Sequence, residues 1–323
     1  MKCIVFRNKK VFFEQKEKPT PEPGEALIRV RLAGICNTDI ELFSGYYGFE
    51  GIAGHEFVGV VEEAPGHPQI RGKRVVSDIN CGCGECDVCL SGDARHCPNR
   101  TVIGIMGRDG AFAEYVKAPI KNLYMVPDDV SDEKAVYCEL LAAALEPSQQ
   151  IHMLNSMKTT ILGDGKLGLL CALGLRHYVP GLLLLGKHPE KLRIARDQGV
   201  KTICVDHNSG VSECVDNYGL FDVTVEATGN PDGINDAIEM TRPEGTVIVK
   251  TTSREPSRIN LAKVVVDEIQ MLGSRCGDIG LALSFLENKW LNPLPLTDSV
   301  YRFKEFKKAF SLAGEKDSMQ VIV

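Results

Sequence analysis

The chain has 323 residues, 44% of them hydrophobic and 25% charged, with a formal net charge of −6. That is length for about two domains, each able to bury its own core, in a composition neither disordered nor fibrous. No apolar stretch approaches the roughly 20 residues of a membrane span, residues 1–18 lack the apolar core of a secretory signal, and the scattered lysines and arginines form no basic stripe for nucleic acid. A cytoplasmic protein without membrane or nucleic-acid partners is expected.

Up to about residue 118 the pattern predicts short strands. Ile28, Val30 and Leu32 alternate with Arg29 and Arg31, the two-residue period of a half-buried strand, after a turn-rich stretch at 19–24. Residues 57–62, 74–77 and 111–116 read as further strands, each beside glycine, so this part is a β barrel or sandwich. From Lys158 the rhythm becomes strand, turn, helix, with strands predicted at 159–162, 182–185, 202–205, 222–226, 246–250 and 270–273. Helical patterns at 166–178 and 191–198 lie between them, the second stopped by Gly199. Strands alternating with helices predict an α/β unit with a doubly wound parallel sheet, of the kind that binds dinucleotides. The apolar run 142–145 followed by Pro147 marks the joint. The predicted division is 1–147, 148–277, and a tail 278–323 that packs back on the first domain.

Twelve cysteines in a chain of this length, without a signal segment, point to reduced thiols or metal ligation. Five fall in the window 81–97, where Cys83, Cys86, Cys89 and Cys97 are spaced 3, 3 and 8 apart. Two-residue gaps let successive thiolates face one tetrahedral centre, and four sulfurs leave no open position, so a structural zinc is expected there. Buried free thiols are the plainer reading, but cysteines among glycines and charges make a poor core. Cys81 lies outside the spacing and reads as a spare thiol.

Gly163-Asp164-Gly165-Lys166-Leu167-Gly168 follows the apolar Ile161-Leu162 and opens a helical pattern, the context that gives a GxGxxG motif meaning. The first two glycines permit a tight turn and close backbone approach, the third permits helix–strand packing, and the helix start faces a pyrophosphate. A carboxylate at the end of the second strand would hold the ribose diol of NAD. That position is Gly186, followed by Lys187, His188 and Lys191. With positive charge there and no adjacent carboxylate, NADP is expected over NAD, unless these are only the solvated residues of a helix start.

Cys36, Thr38 and Asp39 lie at one predicted strand–loop edge, and His55 with Glu56 at another. Cysteine, histidine and carboxylate could complete three zinc ligands with one open site. Taken singly, His55 is more often a hydrogen-bonded histidine than a ligand and Cys36 reads no better than a core thiol, and spacing does not join them.

Together these segments resemble the zinc-containing medium-chain dehydrogenases, the alcohol and polyol dehydrogenase superfamily. They run in family order: Gly34-Ile-Cys36-Asn-Thr38-Asp39, Gly54-His55-Glu56-Phe-Val-Gly59, Gly72-Lys-Arg-Val75, the four-cysteine lobe, Gly110-Ala-Phe-Ala-Glu-Tyr-Val116, the glycine motif and Ala227-Thr228-Gly229. The resemblance implies a GroES-like catalytic domain built from both chain ends, a Rossmann domain that contacts the cofactor with Thr228 as well, and a homodimer or homotetramer. It makes Cys36 and His55 catalytic zinc ligands and Cys83, Cys86, Cys89 and Cys97 the structural site. The third catalytic ligand is Glu56 or Glu139, with the neighbouring Cys138 a lesser candidate. Thr38 then begins the substrate proton's exit, and Asp39 supports the ligands. Asn37 and Glu41 depart from the pattern, since many members carry an arginine or glycine at the first and a proton-relay histidine at the second.

The implied reaction is the reversible oxidation of an alcohol or polyol to an aldehyde or ketone, with zinc as Lewis acid and the nicotinamide as redox partner. Alternatives are a zinc-independent reductase on the same fold, a dehydrogenase of a large specialised metabolite or pigment alcohol, and a non-catalytic zinc- and NADP-binding redox sensor.

Overall fold

The computed structural model describes residues 1–45, 48–205, 210–252, 256–315 and 317–323. Their contacts form two compact units. One comprises Met1–Glu139 with Asp278–Lys289 and Pro293–Val323; the other comprises Leu140–Gly277 with Trp290–Asn292. The helix Cys138–Leu145 straddles the division.

The first unit is organised around the long strand Glu25–Ile35. Ala26, Leu27 and Ile28 are fully buried on it. It pairs antiparallel with Glu56–Glu63, with Tyr115–Pro119 and with the C-terminal strand Gln320–Ile322. Arg74–Ser77 and Leu123–Met125 extend the sheet on one side, and Thr297–Val300 on the other. The last strand of the chain therefore lies directly beside the strand that leads to Cys36. The strand expected at 111–116 runs instead at Tyr115–Pro119, because the N–H groups of Ala111 and Phe112 bond to the carbonyls of Gly54 and Ala53. A second small sheet contains a hairpin, Lys2–Arg7 with Lys10–Gln15, turned by Asn8 and Lys9 at φ of 49° and 54°. Both central residues adopt the positive φ of a type I′ turn. Phe6, Phe112 and Phe306 pack together, with the last two rings 4.8 Å apart edge to face.

The second unit holds six parallel strands in the spatial order Lys201–Cys204, Leu183–Gly186, Thr159–Leu162, Phe221–Glu226, Thr241–Val249, Gln270–Gly273. Numbered along the chain this is 3-2-1-4-5-6, the doubly wound arrangement. Leu162, Leu183, Leu185 and Val247 are buried in its core, as the apolar runs require of strands covered on both faces. Strand order reverses beside Thr159–Leu162, where Leu162 pairs with Leu185 on one side and Glu226 on the other. The loops after these three strands therefore share one edge, the place where such sheets bind ligands. The helix Lys166–Leu175 ends earlier than expected, since His177 and Tyr178 close turns onto Gly174 and Leu175. Among the described residues no helix is long and apolar enough to cross a membrane.

Candidate metal and nucleotide sites

Cys36 ends the strand Glu25–Ile35 and caps the helix Asn37–Phe43. Asp39 closes the cap, its Oδ2 accepting from the Cys36 N–H at 2.8 Å. Antiparallel pairing of Gly34 with Glu56 brings the next strand's opening residues alongside. Residues far apart in sequence thus become neighbours through sheet register alone. Donor atoms of Cys36, His55 and Glu56 all lie within 4.8 Å of one another.

This cluster is buried and incompletely satisfied. His55 and Glu56 are 3% and 0% exposed. Glu56 Oε2 accepts from Gln320 Nε2 at 2.7 Å, while Glu56 Oε1 has no hydrogen-bond donor among the described residues. His55 Nδ1 stands 3.3 Å from Asp39 Oδ1 in an orientation that makes no hydrogen bond. Burial disfavours the imidazolium, but the charges of Asp39 and Cys36 outweigh it and hold His55 well above its usual 6.5. A soft sulfur, an imidazole and a carboxylate oxygen within 4.8 Å of one another are the donor set of an open zinc site, and they fit that ion. Glu139 is half-buried at the start of the helix Cys138–Leu145 and is not in the group. Cys138 is buried too, its thiol pushed up by desolvation, and is also outside it. The Thr38 hydroxyl is 3.8 Å from Cys36 Sγ. Sequence reasoning missed Gln320, whose lone position near the C-terminus carries no motif.

The second cluster lies in a lobe with two short helical turns, Asp87–Leu90 and Ala94–His96. Sulfur–sulfur distances are 3.6 Å for Cys83–Cys97, 3.7 Å for Cys86–Cys97 and 4.0 Å for Cys83–Cys89. Tetrahedral zinc with bonds of about 2.3 Å places its sulfurs about 3.8 Å apart, so this tetrad fits the ion. Backbone N–H groups of Glu85 and Cys86 draw the Cys83 thiol down to about 6, while Cys86 is raised: the Cys89 N–H lowers it, but desolvation and the neighbouring sulfurs together prevail. Cys81 is buried apart from them, with Asn122 Nδ2 3.8 Å from its sulfur.

In the second unit, Gly163 has φ of +112°, and a Cβ there would meet the Ala227 carbonyl oxygen at 2.4 Å. A Cβ on Gly168 would stand 2.0 Å from the Gly163 oxygen. Both positions demand glycine for packing. Gly165, at the cap of Lys166–Leu175, has open space where its Cβ would project, which is the cradle a pyrophosphate needs. Lys166 is buried and Leu167 half-buried behind it. Thr228 is held by Glu226, whose buried Oε1 accepts from the Thr228 N–H at 2.8 Å and its hydroxyl at 2.7 Å. These features fit a dinucleotide.

The sequence predicts no carboxylate at the end of the second strand, yet Asp164, from the glycine motif itself, fills that place. Its Oδ2 accepts from the Lys187 and His188 N–H groups, each at 2.7 Å, and the His188 ring lies 3.0 Å from Oδ1. Lys187 is exposed and Lys191 buried on the helix Pro189–Arg196.

Residues 22–128 match the alcohol dehydrogenase GroES-like domain and residues 182–288 the zinc-binding dehydrogenase domain. The chain is 30% identical to the sorbitol dehydrogenase of Halalkalibacterium halodurans, over 96% of this chain and 95% of the relative. A crystal structure from Escherichia coli CFT073, described as the short-chain alcohol dehydrogenase RspB with NADH, is 25% identical with a TM-score of 0.92, covering 100% of this chain and 98% of that one. Another, from Sinorhizobium meliloti 1021 and assigned as a zinc-binding dehydrogenase with NADP bound, is 25% identical with a TM-score of 0.88, at 100% and 98% coverage. This chain belongs to the zinc-containing medium-chain dehydrogenase superfamily. It is an oxidoreductase with a GroES-like part and a Rossmann-type part, for which the comparisons support zinc and a nicotinamide cofactor.

Proposed function

We propose that the protein is a zinc-dependent dehydrogenase that interconverts an alcohol, of the polyol class, with its aldehyde or ketone. The observation that carries this reading is the convergence of Cys36, His55 and Glu56, with one buried Glu56 oxygen left without a donor among the described residues. When bound, zinc supplies a Lewis acid for the alcohol oxygen, and the nicotinamide supplies the two-electron redox partner.

The chain's own residues do the rest. Cys36 and His55 hold the metal, with Glu56 as the third ligand in preference to Glu139. Asp39 anchors the Cys36 N–H and the Gly54 N–H, which keeps both ligand-bearing loops in place. Thr38, beside the Cys36 sulfur, takes the hydroxyl proton outward. Gly163, Gly165, Lys166, Leu167, Gly168 and Thr228 seat the dinucleotide, and Cys83, Cys86, Cys89 and Cys97 hold a second, structural zinc. A sorbitol dehydrogenase relative supports the polyol class. Gly186, Lys187, His188 and Lys191 favour NADP, and the Asp164 carboxylate among them opposes it. A cytoplasmic homodimer or homotetramer, divided at 1–147, 148–277 and 278–323, completes the proposal.

The test is a screen of polyols and simple alcohols with NAD and NADP, following absorbance of the reduced nicotinamide, on the protein and on Cys36→Ser. Polyol turnover lost in Cys36→Ser, together with one zinc per chain, is expected. Full activity and zinc content in that variant would overturn the assignment.

A further inference from the structure

We propose that Asp164 selects between the two nicotinamide dinucleotides, favouring the one without a 2′-phosphate. This rests on the nicotinamide reading above and deepens it.

The usual place for a discriminating side chain is the residue that ends the second strand of such a sheet, and here that residue cannot carry one. A Cβ on Gly186 would lie 2.4 Å from Asp164 Cβ and Oδ2. The carboxylate comes from the neighbouring loop instead. Leu162 pairs with Leu185, so the turn after the first strand runs beside the end of the second, and Asp164 reaches across. It is 7% exposed there. The N–H groups of Lys187 and His188 open the helix Pro189–Arg196 and are the donors an anion would take. Both are already bonded to Asp164 Oδ2, at 2.7 Å each. The His188 ring, which the sequence also offers to a phosphate, lies 3.0 Å from the same carboxylate.

A 2′-phosphate entering here would find its backbone donors committed and a carboxylate beside it, and like charges at such range oppose each other. Lys187 and Lys191 belong to the same segment, but the Asp164 carboxylate is a fixed anion that a dianionic phosphate must approach or displace. A 2′-hydroxyl is a neutral donor that meets no such opposition. The His188 ring lies 3.0 Å from Asp164 Oδ1, and a carboxylate oxygen can accept more than one hydrogen bond. Asp164 is thus a strand-end acid displaced into the glycine motif, with His188 moderating its charge.

The experiment measures dissociation constants of NADH and NADPH by nicotinamide fluorescence on the zinc-loaded protein, on Asp164→Asn and on His188→Gln. The unaltered protein is expected to favour NADH, Asp164→Asn to move the affinity ratio toward NADPH by about tenfold or more, and His188→Gln to move it further toward NADH. NADPH bound as tightly as NADH by the unaltered protein overturns the proposal. So does an Asp164→Asn variant that weakens both equally. Should Asp164→Asn fail to fold by circular dichroism, His188→Gln decides: a shift toward NADH supports the proposal and an unchanged ratio overturns it. Binding of neither nucleotide by the unaltered protein overturns the nicotinamide reading itself, and this proposal with it.

Discussion

Gln320 Nε2 donates to Glu56 Oε2 at 2.7 Å, so the last strand of the chain holds a carboxylate of the candidate metal site. Both side chains are almost wholly buried, and a Cβ on Gly34 would collide with each. Gln320→Leu removes the donor and leaves a buried carboxylate less satisfied. A loss of about 1–3 kcal/mol in the stability of the metal-free protein is expected, with an unchanged denaturant slope. Weaker zinc binding in competition with a chelator should accompany it. Wild-type values in both measurements would show that Gln320 does not support Glu56.

The cysteine lobe makes a separate prediction about metal. Cys97 is fully buried and its sulfur lies within 3.7 Å of both Cys83 and Cys86. Cys97→Ser is expected to lose one zinc per chain by atomic emission and to lower the thermal midpoint by roughly 5–10 °C. The site built on Cys36 should keep its own zinc. An undiminished metal count would end the structural-zinc assignment.

The glycine motif predicts a contrast between neighbours. Gly168→Ala puts a methyl 2.0 Å from a backbone oxygen and should destabilise the fold by about 1–3 kcal/mol. Gly165→Ala meets nothing within 4 Å, so it should fold normally yet bind dinucleotide poorly. Calorimetry for stability and titration for nucleotide affinity would separate the two, and equal behaviour of the variants would contradict the assigned roles.

Acid sensitivity is expected from Glu25. Burial raises its carboxyl, but Arg108 at 2.6 Å and Lys117 at 3.1 Å prevail and hold it below its usual 4.5. A carboxylate depressed in the folded state contributes stability that is complete above the unfolded value and lost as pH falls through the folded one. The unfolding free energy should therefore decline below about pH 4.5, and less steeply in Glu25→Gln. An identical slope in the variant would assign the loss to other groups.

Much of this was legible along the chain because the signals are local. The six parallel strands lie where apolar runs alternate with helical patterns, since each run must be buried on both faces wherever the sheet places it. The four lobe cysteines reveal themselves by spacing, because one short segment carries all four. The hairpin at Lys2–Gln15 gave no such signal, its turn being Asn8-Lys9 rather than a glycine pair.

Composition, periodicity and motif spacing determined two kinds of unit and the residue types available for zinc and dinucleotide. Only the tertiary structure decided which of them meet. The pairing of Gly34 with Glu56 sets Glu56 rather than Glu139 beside Cys36 and His55. The pairing of Val321 with Ile35 brings Gln320 to Glu56. The pairing of Leu162 with Leu185 carries Asp164 to a strand end that looked empty of acid. Register between strands distant in sequence is a property of packing, and no single stretch of the chain encodes it.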